Sequence, residues 1–153
     1  MTHESRAQEL GLTLPPPPAP AGLYSPSVQS GNLLYIAGQV PMRDGKPMLT
    51  GKLGREVAID DAAACARRCA LQALALVRDR LGSLDRVVQT VRVAGYVASA
   101  EGFIDHPRVV NGASQLLIDV FGETAGRAAR IAIGVAELPF NVPVEVEFVF
   151  EVT

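Results

Sequence analysis

The chain has 153 residues, a net charge of −2, 48% hydrophobic residues and 20% charged ones. That length fits one domain with one real core, and the balance is neither that of a disordered chain nor that of a membrane protein. An isoelectric point near 5.7, no tryptophan and only five phenylalanines and three tyrosines argue against a nucleic-acid partner, which calls for a basic face and stacking aromatics.

No apolar leader follows Thr2-His3-Glu4-Ser5-Arg6, and the longest apolar runs are far short of a membrane span. The expected compartment is the cytoplasm, with no membrane partner. Residues 1–22 read as a Pro-rich N-terminal arm and residues 23–153 as the folded domain. Pro15-Pro16-Pro17-Pro18-Ala19-Pro20 should hold polyproline II, which joins neither a helix nor a central strand. Such an arm lies along its own protomer or a neighbour, or docks as a strap on a signalling domain.

Two short strands follow, Ser25 to Gln29 and Leu33 to Ala37, turned by Ser30-Gly31-Asn32, with Gly38 and Pro41 breaking the second. Arg43-Asp44-Gly45-Lys46-Pro47 is a loop with Asp-Gly turn chemistry. The run from Gly45 to Leu53 has the glycines and lysines of a phosphate loop but fails as one. Its spacing is one residue too long, Leu53 replaces the magnesium-holding Ser or Thr, and no buried strand precedes it. It reads as a surface hairpin or loop.

Asp60-Asp61 opens a helix to Leu81, closed by Gly82. Ala66, Cys69, Ala70, Ala73, Leu74 and Val77 form its buried side, with Arg67, Arg68, Arg78 and Asp79 facing water. Cys65 and Cys69 lie four apart on one helix face. They lack CxxC spacing, and His3 and His106 are remote, so they read as small packing residues. Val87 to Val97 is a strand and Ser99 to Gly102 a loop. Asp105 caps a second helix, with Pro107 in its first turn, which stops at Gly122. Two strands end the chain, Arg130 to Pro139, expected to pack on both faces, and Val142 to Val152.

This order, ββ(β)αβαββ, predicts an α+β domain: one mixed β-sheet with two helices packed on one face. Val91, Val93, Ile131, Ile133, Val135, Val144, Val146 and Val149 leave apolar residues on both faces. Two helices cover only one, so oligomerisation is expected. Charge is the other anomaly. Arg130 opens an apolar strand, and Glu145 and Glu147 sit in the next one, although charges in such strands need partners. The residues alone allow an ion pair of Arg130 with Glu145 or Glu147 across neighbouring strands, or a ligand site. Tyr24 and Asn111 by themselves read as surface groups. No set of His, Cys or acidic residues has metal-ligand spacing, so no metal is expected.

Several local signatures, taken together from Ala21 to Val152, resemble the Rid family, the YjgF or reactive-intermediate deaminase proteins. They are Ala21-Gly22-Leu23-Tyr24-Ser25-Pro26, Leu34 to Pro41 with Ala37-Gly38-Gln39 at its centre, and Leu84-Asp85-Arg86-Val87-Val88. Phe103, Val110-Asn111, Arg130 to Pro139 and Val144-Glu145-Val146-Glu147 complete them. The resemblance implies a chorismate-mutase-like fold, a homotrimer with clefts between protomers, and no metal or organic cofactor. It implies hydrolytic deamination of reactive 2-aminoacrylate-type enamines and imines to 2-oxo acids and ammonia. Arg130 matches the arginine that grips the substrate carboxylate, and Glu145 the glutamate that positions or activates water. Tyr24, Ala37, Gly38 and Asn111 match positions that line the cleft. Three departures stand out: Ala37 where many members carry serine, Ala132 where a cysteine is common, and a longer segment between Phe103 and Asn111. Two other readings stay open, a non-catalytic trimer that binds small carboxylic metabolites or acts as an interaction protein, and an RNA endonuclease. Which of Glu145 and Glu147 faces the cleft is also open.

Overall fold

The first residues form a helix rather than an extended arm. In this computed structural model, which describes residues 1–153, α1 (His3–Glu9) begins with a reciprocal capping box. Thr2 Oγ1 accepts from the Ser5 N–H at 3.0 Å, and Ser5 Oγ accepts from the Thr2 N–H at 3.0 Å, satisfying two orphan donors locally. Ala7 is its one buried residue. A seven-residue helix with one apolar contact carries almost no periodic signal, so in the sequence it does not stand out from the arm. The proline run that follows is in neither helix nor strand and lies on its own protomer, with Leu12 and Leu14 against the core and Pro15 to Pro18 beside Gly45 and Arg68.

β1 (Ser27–Ser30) and β2 (Leu33–Gln39) pair as an antiparallel hairpin across Gly31 and Asn32. β2 runs on past Ala37 through an irregularity between Ile36 and Gln39, so Gly38 bends the strand without ending it. β3 (Met42–Arg43) and β4 (Lys46–Pro47) close around Asp44 (φ 53°) and Gly45 (φ 75°). Left-handed backbone at both central residues is what a two-residue hairpin requires. The Gly45–Leu53 segment is thus a hairpin and loop, as expected, but only its start lies at the surface: Met48 and Leu49 pack against the core and Leu53 is fully buried.

α2 (Ile59–Leu81) ends at Gly82, whose φ of 84° only glycine adopts readily. Ala62, Cys65, Ala66, Cys69, Ala70 and Ala73 are fully buried in it. Arg68 and Arg78, expected in water, are half-buried. Arg68 Nε donates to the Met42 carbonyl at 2.8 Å, and Arg78 pairs with Glu4 of the unanticipated α1 through contacts of 3.1 and 2.6 Å. β5 (Val87–Ala98) leads to α3 (His106–Phe121), where Asp105 stands at the cap without making a side-chain cap bond. α2 and α3 pack closely because Gly112 has no side chain; a Cβ there would collide with the Ala63 carbonyl. A short α4 (Glu123–Gly126), β6 (Ala129–Val135) and β7 (Val144–Val152) complete the chain.

The sheet order is β1-β2-β7-β5-β6, antiparallel except for the parallel β5–β6 pair. The mixed sheet with helices on one face is therefore as expected. In β7 every second residue from Val144 to Val152 is buried, the period-2 pattern of a strand with one covered face. Val93, Val97, Phe148, Phe150, Leu34 and Ile36 meet the helices on that face. β6 differs from expectation: it is an edge strand, and Ile131 and Ile133 remain 41% and 40% exposed. No helix is long and apolar enough to cross a membrane.

Candidate functional site

Register decides where Arg130 points. It pairs with Val93 in the parallel β5–β6 ladder, which puts its side chain on the helix-covered side of the sheet. There its Nη1 donates to Asn111 Oδ1 at 2.7 Å and to Ser114 Oγ at 3.2 Å. Asn111 and Ser114 are one helical turn apart on α3 and so present their acceptors together. Arg108, Gln115 and Arg127 help to enclose a cavity of about 590 Å³ around the guanidinium.

Arg130 has no carboxylate partner. The ion pairs of the protein are Lys52–Glu137, Arg55–Glu56, Arg78–Glu4 and Arg127–Glu123. The cross-strand pair with Glu145 or Glu147 is excluded, because β5 separates β6 from β7 and those glutamates face the other side of the sheet. Burial pushes the Arg130 pKa below its ordinary value, with no acid to oppose it. A partly desolvated arginine held by two neutral acceptors is a site prepared for an anion.

Glu145 lies on β7 opposite Tyr96 of β5, on the open face. Its carboxylate runs beneath the backbone at Gly38, where any Cβ would strike Glu145 Oε2. Close approach explains the glycine. Tyr24, Ala37, Gly38, Val40, Phe140 and Glu145 line a cavity of about 530 Å³. Burial first, and then the charge of Glu147, raises the Glu145 pKa above the ordinary carboxylate value. Glu147 accepts a hydrogen bond from the Tyr96 hydroxyl at 2.7 Å and lines a different hollow of about 300 Å³ with Arg92 and Tyr35. Glu145 is therefore the carboxylate that shares a cavity with Tyr24 and Gly38.

A buried amide pair sets the geometry at Gly38. Gln72 Nε2 donates to Gln39 Oε1 at 3.2 Å and to the Val40 carbonyl at 2.9 Å, and Gln72 Oε1 accepts from the Met42 N–H at 2.9 Å. Gln39 Nε2 in turn donates to the Ala37 carbonyl at 2.8 Å. The irregular end of β2 is thus tied to α2 by fully used polar groups. Across the cavity, the Tyr24 hydroxyl accepts from the Ala21 N–H at 3.1 Å, fixing the ring to the arm.

The six residues picked out in the sequence fall into two groups. Tyr24, Ala37, Gly38 and Glu145 share one cavity; Arg130 and Asn111 share the other, with Ser114. One protomer does not bring the two groups together. Phe140 was not anticipated. It has φ 58° and ψ 15° and is followed by Asn141 at φ 59°, and the one local hint of that turn was the asparagine. Cys65 and Cys69 are packing residues, as expected: burial pushes the Cys65 thiol up to about 11 and the Cys69 thiol upward as well. Such thiols are poor nucleophiles.

Comparison with known proteins gives this arrangement a context. Residues 4–152 match the family model described as "YjgF/chorismate_mutase-like, putative endoribonuclease". "Protein TCP17" of Trypanosoma cruzi is 44% identical over 144 residues, covering 94% of this chain and 90% of that protein. A crystal structure of a "putative endoribonuclease" from Shewanella oneidensis MR-1 superposes with a TM-score of 0.94 at 34% identity, covering 99% of this chain and all of the other. A protein named "2-iminobutanoate/2-iminopropanoate deaminase", from Dermatophagoides farinae, is 29% identical over 137 residues, covering 89% of this chain and 91% of that one. The chain belongs to the YjgF/chorismate-mutase-like family, the family the sequence resembles.

Proposed function

We propose that this protein hydrolyses reactive enamine and imine intermediates to 2-oxo acids and ammonia, in sites that two protomers of a homotrimer build together. Arg130 of one protomer, held by Asn111 and Ser114, takes the substrate carboxylate through two parallel charge-assisted hydrogen bonds. Glu145 of the next protomer accepts a proton from water as the water oxygen bonds to the imine carbon. That proton then passes to the nitrogen of the carbinolamine, the carbon–nitrogen bond breaks as the remaining hydroxyl proton goes to Glu145, and the departing ammonia takes that proton from Glu145, leaving the 2-oxo acid. An iminium carbon is already electrophilic, so positioning and one base suffice. A pKa above the ordinary carboxylate value suits Glu145 to that task near neutral pH.

The observation that carries this reading is the division of labour across the sheet. An unpaired arginine with two neutral acceptors lies on one side and a half-buried carboxylate on the other, on a sheet whose open face keeps Val28, Tyr35, Ile131 and Ile133 exposed. A second copy can both cover that face and complete the site. Membership of the family and the name of the Dermatophagoides relative support the same chemistry. The methyl of Ala37, where many relatives carry a hydroxyl, favours a second reading as a non-catalytic binder of small carboxylic metabolites; ammonia release separates the two. A net charge of −2 weighs against RNA cleavage.

Subunit mixing tests the proposal. Arg130→Ala and Glu145→Gln proteins are each expected to be inactive, yet refolded together in equal amounts they should recover about a quarter of wild-type activity, the statistical share of sites that draw both intact residues from different protomers. Inactive mixtures of well-folded trimers would overturn the shared site.

A further inference from the structure

We infer that the side chain of the substrate is bulky and apolar, and that Phe140 and the proline-rich arm select it. This deepens the reading of Arg130 and Glu145 given above and rests on it. On one protomer the hollow at Glu145 measures about 530 Å³, which leaves room for more than a methyl group beside the imine once a second protomer closes it. Apart from Glu145, no charged residue lines it. Ala21, Ala37, Val40, Pro139 and Phe140 make up most of its wall, with Tyr24 and Ser25 as its neutral polar members.

Two features point to selection rather than leftover space. Phe140 and Asn141 both hold left-handed backbone, at φ 58° and 59°, a conformation that side-chain-bearing residues keep only when their surroundings enforce it. Here one bond lies within the turn and one comes from a distant loop: the Val142 N–H donates to the Pro139 carbonyl at 3.3 Å and the Gly51 N–H to the Asn141 carbonyl at 2.9 Å. The result is an aromatic ring, 54% exposed, standing at the mouth of the Glu145 cavity. The arm supplies the second feature. Pro18 to Ala21 and Pro26 extend the wall through an adjoining hollow of about 130 Å³ that shares Tyr24, Gly38, Val40 and Phe140. The hydrogen bond from Ala21 to the Tyr24 hydroxyl holds arm and ring together. With its carboxylate on Arg130 and its imine carbon at Glu145, a leucine- or phenylalanine-type side chain has this apolar space to occupy, whereas an acidic one meets no cation there.

The test generates imines in situ from alanine, leucine, phenylalanine and glutamate with an amino-acid oxidase and follows their hydrolysis. The expected kcat/KM is at least about tenfold higher for the leucine- and phenylalanine-derived imines than for the alanine-derived one, the scale of discrimination an apolar pocket gives. Phe140→Ala and Ala21→Asp, the latter at an exposed position that does not endanger folding, should each bring the leucine-to-alanine ratio below about threefold. Equal or better turnover of the alanine- or glutamate-derived imine overturns the inference and leaves the deaminase reading intact. If no imine is hydrolysed, the deaminase reading fails, and calorimetry with the 2-oxo acids decides the inference: 4-methyl-2-oxopentanoate must bind about tenfold tighter than pyruvate, and equal binding overturns it.

Discussion

Under α2 and α3 the sheet presents Val93, Val97, Val144, Val146, Phe148 and Phe150, all buried. On its reverse the same strands carry Arg92, Tyr96, Glu145 and Glu147 among the half-exposed Tyr35, Ile131 and Ile133. The first face is finished within one chain except at its β6 edge: apolar groups interdigitate across it, and Arg130 stands at that edge with only Asn111 and Ser114 as partners. The second is unfinished, with apolar surface uncovered and a carboxylate whose ionised form is disfavoured. The core belongs to the first face and the Glu145 carboxylate to the second, and the alternation of β7 writes both into one strand.

The largest expected effect tests the covered face. Phe148→Ala should cost about 3–5 kcal/mol, since a fully buried ring leaves a cavity that its neighbours only partly fill; chemical denaturation measures it. Ile133→Asp, on the open face, should leave far-UV circular dichroism intact and dissociate the assembly in light scattering. If Ile133→Asp instead unfolds the protomer, the two faces are not separable.

Next in size are the site residues. Glu145→Gln is expected to retain 2-oxo acid binding while losing roughly 10²–10⁴-fold in turnover, because an amide accepts no proton from water. Arg130→Ala should lose binding by about 1.5–3 kcal/mol for each charge-assisted bond removed, with Arg130→Lys restoring little. Melting temperatures near wild type are expected for all three. A proportional fall in stability and activity would instead make Arg130 a structural residue.

A smaller effect concerns pH. The charge of Glu147 is one of the two causes holding the Glu145 pKa up. Glu147→Gln should therefore shift the acid limb of the kcat/KM profile to lower pH, and a limb that does not move would detach that limb from Glu145. The smallest effect lies away from both faces. Arg78 holds the Glu4 pKa below the ordinary value, with Leu84 N–H adding to it. A lowered carboxylate pKa adds stability above the unfolded-state value of 4.5, and that stability is lost as pH falls through the folded-state value. With Arg78 and Glu4 still 42% and 30% exposed, Glu4→Gln should cost no more than about 1 kcal/mol at pH 7. The difference from wild type should vanish in acid denaturation curves below that range.

Local chemistry made much of this legible from sequence. The Asp44-Gly45 turn, the Gly82 helix stop, the small-residue face of α2 and the alternation of β7 are each set by residues close together in the chain. What stayed hidden depends on distant contacts. The sequence showed Arg130 and Glu145 on consecutive strands, but β5 inserts between those strands, and only the parallel register with Val93 sends Arg130 to the helix side. The same strand order turns β6 into an exposed edge rather than a strand packed on both faces. α1 is held by Glu4 with Arg78, by Arg6 with the Asp119 carbonyl and by His3 with the Val87 carbonyl, none of them close in sequence. Phe140 takes its conformation from bonds to Gly51 and within its own turn.

Cys65 and Cys69 have a practical consequence. Both thiols are shut inside α2 and pushed well above neutral pH by burial, so thiol-directed dyes at pH 7 should pass them by. A single cysteine introduced on the solvent side of α2, at Asp79 for example, would then report alone. Donor- and acceptor-labelled batches of the natural background could be mixed and energy transfer followed in real time, turning subunit exchange into an optical signal without first removing a native residue.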